Sequence, residues 1–180
     1  MSKVISVGTC DAPYKLSQRE IKSFIYNLFA DSDVGIENMM SVFDNSKISE
    51  RHISIPIEWL GKNHTFPERN QLYVENAVNM SEKAINSCLN KIKCDYSDID
   101  HIIFISSTGL STPSVDAFLF NRLKLSNHIK RSPIWGLGCA GGAVGLSRAY
   151  EYTRAFPQEN VLLVAVELCS LTFQKDDLSK

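Results

Sequence analysis

The sequence predicts an α/β fold built on a parallel sheet. Apolar, β-rich runs alternate with segments of helical periodicity, the order that generates parallel strands with helical crossovers. One of those runs, "HIIFISS" (His101–Ser107), is apolar almost throughout, as a strand buried on both faces must be. Helix-start signals stand between the runs.

Taken in order, Val4–Cys10 is a short β-rich run that Pro13 ends. Ser17-x-x-Glu20 forms a capping box ahead of "IKSFIYNLF", which is apolar at helical spacing. A second helical pattern covers Ile36–Phe43 and gives way to the turn-rich "DNSK". "ISERHISIP" then alternates through Ile48, Ile53 and Ile55, which suits a half-exposed strand. Pro67 fits the first position of a long helix, where a missing N–H costs nothing. From Leu72 to Ile92 the residues Leu72, Val74, Ala77, Val78, Ala84, Ile85, Leu89 and Ile92 form one stripe facing a core. After the His101–Ser107 strand, Thr112-Pro113-x-x-Asp116 opens a helix that ends near Leu125. The last third repeats the pattern: a short strand at Ile134 and Trp135, a glycine-rich turn, a helix over about 140–156, and a strand at Val161–Leu168.

At 180 residues the chain makes a single domain, 1–180, or part of a larger protein, and its fold can bury about 70% of the unfolded surface. With 44% hydrophobic and 22% charged residues and a net charge of −1, it has no general attraction for nucleic acid or membrane. A phosphorylated ligand therefore needs a local basic site. The N-terminus lacks a secretory signal and no apolar run approaches the ~20 residues of a spanning helix, so the expected location is cytoplasmic. The five cysteines, Cys10, Cys88, Cys94, Cys139 and Cys169, are widely spaced without C-x-x-C, which indicates reduced thiols rather than a disulfide framework or a metal site.

"WGLGCAGG" (Trp135–Gly142) admits three readings. As G-x-G-x-x-G it is a dinucleotide loop, with Glu167 near where a ribose-binding acid would stand; against this, "KRSPIWG" is polar and Pro133 cannot donate to a central ladder. As a nucleophile turn, it sets Cys139 at the first turn of a helix, where the dipole and free N–H groups favour a thiolate and a developing oxyanion. The flanking glycines then permit the turn and leave room for a thioester, while Gly141, Gly142 and Gly145 allow close packing. In the third reading Cys139 is a small buried residue.

Three blocks in order extend the second reading: "DIDHIIFISSTGLSTPSVD" (Asp98–Asp116), "GLGCAGG" (Gly136–Gly142) and "VLLVAVELCSLTF" (Val161–Phe173). Together they make the chain resemble the thiolase-fold condensing enzymes, specifically type III polyketide synthases of the chalcone-synthase-like group, bacterial members above all. The resemblance implies a layered α/β/α thiolase-like fold, of which this chain is the N-terminal half of two repeats. It implies an acyltransferase in which Cys139 accepts a starter acyl group from coenzyme A and decarboxylated malonyl-CoA extends it. Acyl-CoA and malonyl-CoA are then substrates, no cofactor or metal is required, and the complete enzyme is a homodimer.

Residue by residue, the resemblance makes Thr172 and Cys169 part of the acyl cavity, adds Ser107 as a substrate contact, and sets Thr112 where plant members reach across the dimer with a Met. The family's catalytic His and Asn come from the second half, and none of His52, His64, His101 or His128 matches them. Chain 1–180 alone is therefore expected not to complete turnover, and to expose the face that packs on its twin repeat. Where plant members carry bases for the coenzyme A phosphates, "GIENMMSVFDN" has none, leaving Lys47 and Arg51 as the candidate contacts. Glu167, at the end of an apolar strand, is expected to brace the cysteine loop. His101 is expected to satisfy a backbone group and the other three histidines to be exposed. The alternatives are a ketoacyl-synthase III-like condensing enzyme, a nucleotide-binding unit and a non-catalytic scaffold.

Overall fold

The structure, a computed structural model, describes residues 2–30, 36 and 40–177. Its elements are β1 (Tyr14–Ser17), α1 (Gln18–Phe29), α2 (Ser41–Asn45), β2 (Glu50–Ile53), α3 (Ile57–Leu60), α4 (Phe66–Ile92), β3 (His101–Ile105), α5 (Val115–Leu123), β4 (Lys130–Ile134), α6 (Gly141–Ala155) and β5 (Val161–Ala165). Single 3-10 turns cover Tyr96–Asp98, Gly138–Ala140 and Cys169–Thr172.

The main sheet is parallel, in the order β4-β3-β5, with Ile102 opposite Arg131 on one side and Leu162 on the other. All five residues of β3 are buried, as its unbroken apolar run predicts for a central strand. The period of two along the strands sorts their side chains between two helical layers. Ile102, Phe104, Leu162 and Val164 share one core with Tyr73, Ala77, Ile85 and Leu89 of α4 and Leu119 of α5. On the other face, Ile105 and Leu163 meet α6 so closely that a Cβ at Gly145 would lie 2.2 Å from Ile105 Cδ1 and 2.8 Å from Leu163 Cδ1. The result is the expected α/β/α layering. Pro133 occupies β4, an edge strand, where its missing N–H breaks no central ladder.

Local signals explain the helix starts. Ser17 caps α1, accepting from Glu20 N at 3.2 Å while Glu20 accepts Ser17 N at 2.7 Å. Thr65 and Glu68 form the same box at α4, so Pro67 is the second helical residue rather than the first. The α4 stripe is buried at Tyr73, Ala77, Val78, Ser81, Ile85 and Leu89, but Ile92 at its end is exposed. Helix α5 ends at Leu123, with Lys124 in the left-handed conformation as its C-cap. Strand β5 stops at Ala165, short of the expected Leu168.

Val4–Cys10 corrects the sequence reading most: it forms no strand. Among the described residues β4 and β5 each pair only with β3, so no ladder takes the N-terminal run in, and β propensity without a partner does not make a strand. It lies instead along α4, where Ser6 Oγ donates to Cys88 O and Lys91 Nζ to Val7 O, each at 2.7 Å. Tyr14–Ser17, to which the sequence reading gives no strand, pairs antiparallel with β2. Of the helical pattern at Ile36–Phe43, residues 37–39 lie outside the described residues; Ile36 and Met40 are buried, and α2 begins at Ser41. No helix among the described residues is long and apolar enough to cross a membrane.

Candidate functional site

Parallel strands deliver their following loops to one edge of the sheet, the edge where open α/β sheets hold ligands. Ser107 follows β3, Cys139 follows β4, and Glu167, Cys169 and Thr172 follow β5. The order β4-β3-β5 places the Ser107 loop between the other two.

Hydrogen bonds stitch the three loops together from that central position. Gly138 N donates to Ser107 Oγ at 3.0 Å, which fixes the residue preceding Cys139. Ser107 N donates to both oxygens of Glu167, at 2.9 and 3.0 Å. Thr108 Oγ1 donates to Glu167 Oε2 at 2.8 Å and accepts Leu168 N at 2.8 Å. Trp135 Nε1 donates to Gly109 O at 3.0 Å, a second tie between the β3 and β4 loops. Glu167 thus braces the cysteine turn through Ser107, one residue removed from direct contact.

Beneath this layer, Tyr73 donates to Ser106 Oγ at 2.7 Å and is almost fully buried. Burial pushes its phenol pKa up, the bond to Ser106 pulls it down, and the negative charge of Glu167 raises it again. Gly109 lies flat on the Tyr73 ring, where a Cβ would come within 2.1 Å of ring carbons. Tyr73, Thr108 and Gly109 escape a reading based on motifs. The stripe read from sequence omits Tyr73; its spacing of four residues before Ala77 is the one signal that could have placed its hydroxyl in the core, in need of a partner.

Cys139 sits in the 3-10 turn immediately before α6, exposed, and one turn earlier than the helical first turn expected from sequence. Gly136 at φ +85° and Gly138 at φ +52° adopt the left-handed conformation that gives the turn its glycines. A Cβ at Gly136, Gly138 or Gly142 would meet nothing within 4 Å, so no neighbouring group crowds these glycines. Part of the expected N–H array is already used, because Ala140 N donates to Leu137 O and Gly141 N to Gly138 O.

The other predicted residues divide. Ser107 joins the network, and Cys169 and Thr172 occupy one exposed turn closed by Thr172 Oγ1 donating to Cys169 O at 2.8 Å. Thr112 is exposed at the far end of the β3 loop. Lys47 is exposed just after α2, and Arg51, on β2, donates Nε to Gln18 Oε1 at 3.2 Å. Among the described residues no hydrogen bond or ion pair joins either base to the three loops.

The histidines lie elsewhere. His101 starts β3, at the opposite end of the sheet from Cys139, and its Nε2 pairs with Ser132 Oγ at 2.9 Å, a side chain rather than the backbone group expected. There Lys130 Nζ bonds Tyr152 OH at 2.6 Å and Glu159 at 3.1 and 3.2 Å, while the Tyr152 hydroxyl also bonds Glu159. His64 is partly buried against Trp59, and His52 and His128 are exposed. Among the described residues no group of three or more His, Cys, Asp or Glu could hold a metal ion.

Comparison with known proteins bears on this arrangement. The family described as "Chalcone and stilbene synthases, N-terminal domain" matches residues 2–179. A protein of Bacillus subtilis (strain 168), provisionally named a chalcone synthase, is 43% identical over 185 residues, covering 100% of this chain and 51% of that protein. A 1,3,6,8-tetrahydroxynaphthalene synthase of Streptomyces peucetius subsp. caesius is 31% identical over 97% of this chain and 46% of its own length. The crystal structure of 1,3,6,8-tetrahydroxynaphthalene synthase from Streptomyces coelicolor A3(2), a bacterial type III polyketide synthase, superposes with a TM-score of 0.90 at 29% identity, covering 96% of this chain and 49% of that one. The chain spans about half the length of the curated relatives it matches.

Proposed function

The chain belongs to the chalcone and stilbene synthase family through its N-terminal domain, and from that premise we propose that it carries the acyl-accepting half of a type III polyketide synthase, with Cys139 as the nucleophile. The observation that carries the proposal is the place of Cys139, on a glycine-flanked turn pinned by the Gly138–Ser107 bond at the carboxyl edge of a parallel sheet.

In the proposed reaction the Cys139 thiolate attacks the carbonyl carbon of an acyl-CoA, and the tetrahedral adduct expels the coenzyme A thiolate, leaving the acyl group on Sγ. Malonyl-CoA loses CO2 to give an enolate. Its α-carbon attacks the acyl-Cys139 carbonyl, forming a carbon–carbon bond and returning the cysteine thiolate with a β-ketoacyl-CoA. Ser107, Cys169, Thr172 and Thr112 are proposed to border the acyl chain, because their loops share the edge that presents Cys139. The groups assisting decarboxylation are assigned to the part of the enzyme that this chain does not span. Full turnover is thus proposed for the whole enzyme, a cytoplasmic homodimer, and acylation for this half. A dinucleotide role finds no support in β4, which lies at a sheet edge rather than at a central first strand.

Incubation with a long-chain acyl-CoA followed by intact-mass analysis tests the central step. One acyl mass is expected on Cys139, absent in Cys139→Ala; acylation no faster than at Cys10 or Cys88 would defeat the proposal.

A further inference from the structure

The loop from β3 to α5, residues 106–114, carries Ser107 near one end and Thr112 near the other. Among the described residues, no backbone–backbone hydrogen bond holds its stretch from 107 to 113. Side chains from other elements take that place. Glu167 accepts Ser107 N, and Trp135 Nε1 donates to Gly109 O. Asn70, near the start of α4, takes both backbone groups of Leu110: Nδ2 donates to Leu110 O and Oδ1 accepts Leu110 N, each at 2.8 Å. One side-chain amide thus does for Leu110 what a paired strand residue would do. From Leu110 to Pro113, no other element hydrogen-bonds the loop among the described residues. Three residues further along α4, on the same helix face, Tyr73 lies against Gly109 and donates to Ser106 Oγ. One face of α4 therefore fixes the loop at Ser106, Gly109 and Leu110.

We propose that Asn70 is a positioning residue for the acyl group on Cys139: by holding Leu110 it sets where the Leu110–Thr112 stretch stands relative to the cysteine turn, and so which acyl chain length Cys139 accepts. The inference rests on the function proposed above. Trp135 supplies the other half of the geometry, because it belongs to the segment that leads into the cysteine turn and bonds the residue next to Leu110. Gly109 and Leu110 are thereby tied on one side to the nucleophile turn and on the other to α4. A wall fixed in place discriminates between chains of different length, whereas a wall free to shift admits both. Only an amide serves Leu110 fully: a carboxylate at position 70 would accept Leu110 N but turn a second acceptor toward Leu110 O.

Acylation rates of the full chain with acetyl-CoA and with a long-chain acyl-CoA, followed by intact mass, give a ratio that reads the wall. Alkylation of Cys139 by iodoacetamide reads the thiol alone. The unaltered chain is expected to distinguish the two thioesters by about tenfold or more. Asn70→Ala should move that ratio toward unity by about fivefold or more and change alkylation by less than about twofold. Trp135→Phe, which keeps a ring and loses the donor, should shift the ratio in the same direction. Gln71→Ala, whose amide bonds Glu75 on its own helix, should leave it unchanged. Amide exchange followed by NMR reads the clamp directly: Leu110 N–H should exchange at least about tenfold faster in Asn70→Ala, with Asn70→Asp between, since it retains the acceptor. Unchanged exchange at Leu110, or alkylation slowed in step with acylation, overturns the inference. Acyl uptake with a ratio that Asn70→Ala does not move, or that is near unity from the start, sinks the positioning role and leaves the function standing. No uptake by the unaltered chain sinks the function, and the role with it.

Discussion

Ser107 bears more of the thiol edge than its size suggests, since its hydroxyl accepts from Gly138 while its N–H is held by Glu167. Removing that hydroxyl leaves Gly138 N without its acceptor and frees the residue before the thiol. Ser107→Ala is expected to slow Cys139 acylation, and alkylation by iodoacetamide, by about tenfold, for a stability loss of only ~1 kcal/mol. Ser107→Thr, which restores the hydroxyl, should restore the rate. Reaction rates equal to wild type in Ser107→Ala would show that the turn does not depend on this bond. The proposal of Cys139 draws on a local pattern, a glycine-flanked cysteine before a helix. The partnership of Ser107 and Glu167, 60 residues apart, has no local signature. The apolar strand before Glu167 called for partners only if that carboxylate were buried; it is exposed and bonded all the same.

Among the elements, α6 depends on small residues where it crosses the sheet. A Cβ at Gly145 meets both Ile105 Cδ1 and Leu163 Cδ1, so added bulk must move two core side chains. Gly145→Val is expected to destabilise the protein by about 2 kcal/mol, overpacking outweighing the gain in helix propensity. Urea unfolding measures this, and an unchanged midpoint would mean that the layer is loosely packed. Most elements were readable from sequence. The Ser17–Glu20 box, the α4 stripe and the β3 run each encode their state within a few residues. The Val4–Cys10 run misled because a strand is a relation between two segments, and the Tyr14–Ser17 strand was missed for the same reason.

For the molecule as a whole, the two ends of the sheet have different electrostatics. At the end away from Cys139, burial and then the charge of Lys130 lower the His101 pKa, with Glu159 opposing them. The folded protein therefore resists the proton that the unfolded chain accepts near the ordinary value of 6.5. Because the unfolded state binds more protons just below that value, stability should fall as pH drops from about 6.5 toward the lowered folded pKa. Unfolding free energies from urea titrations at pH 7.5 and 5.5 should differ in this direction, and His101→Gln should flatten the difference. The carboxylates of Glu20, Glu68 and Glu159, held low chiefly by hydrogen bonds from Ser17, Thr65 and Tyr152, give up their share of stability in a separate window below pH 4.5. By itself the sequence determined the alternation of strand and helix, the central burial of β3 and the glycine-rich turn after β4. Those features are written in local periodicity and turn chemistry. Only the tertiary structure decided that β3 lies between β4 and β5, and hence that Ser107 stands between Gly138 and Glu167. Strand order comes from which distant segments pack together, a choice to which spacing along the chain is blind.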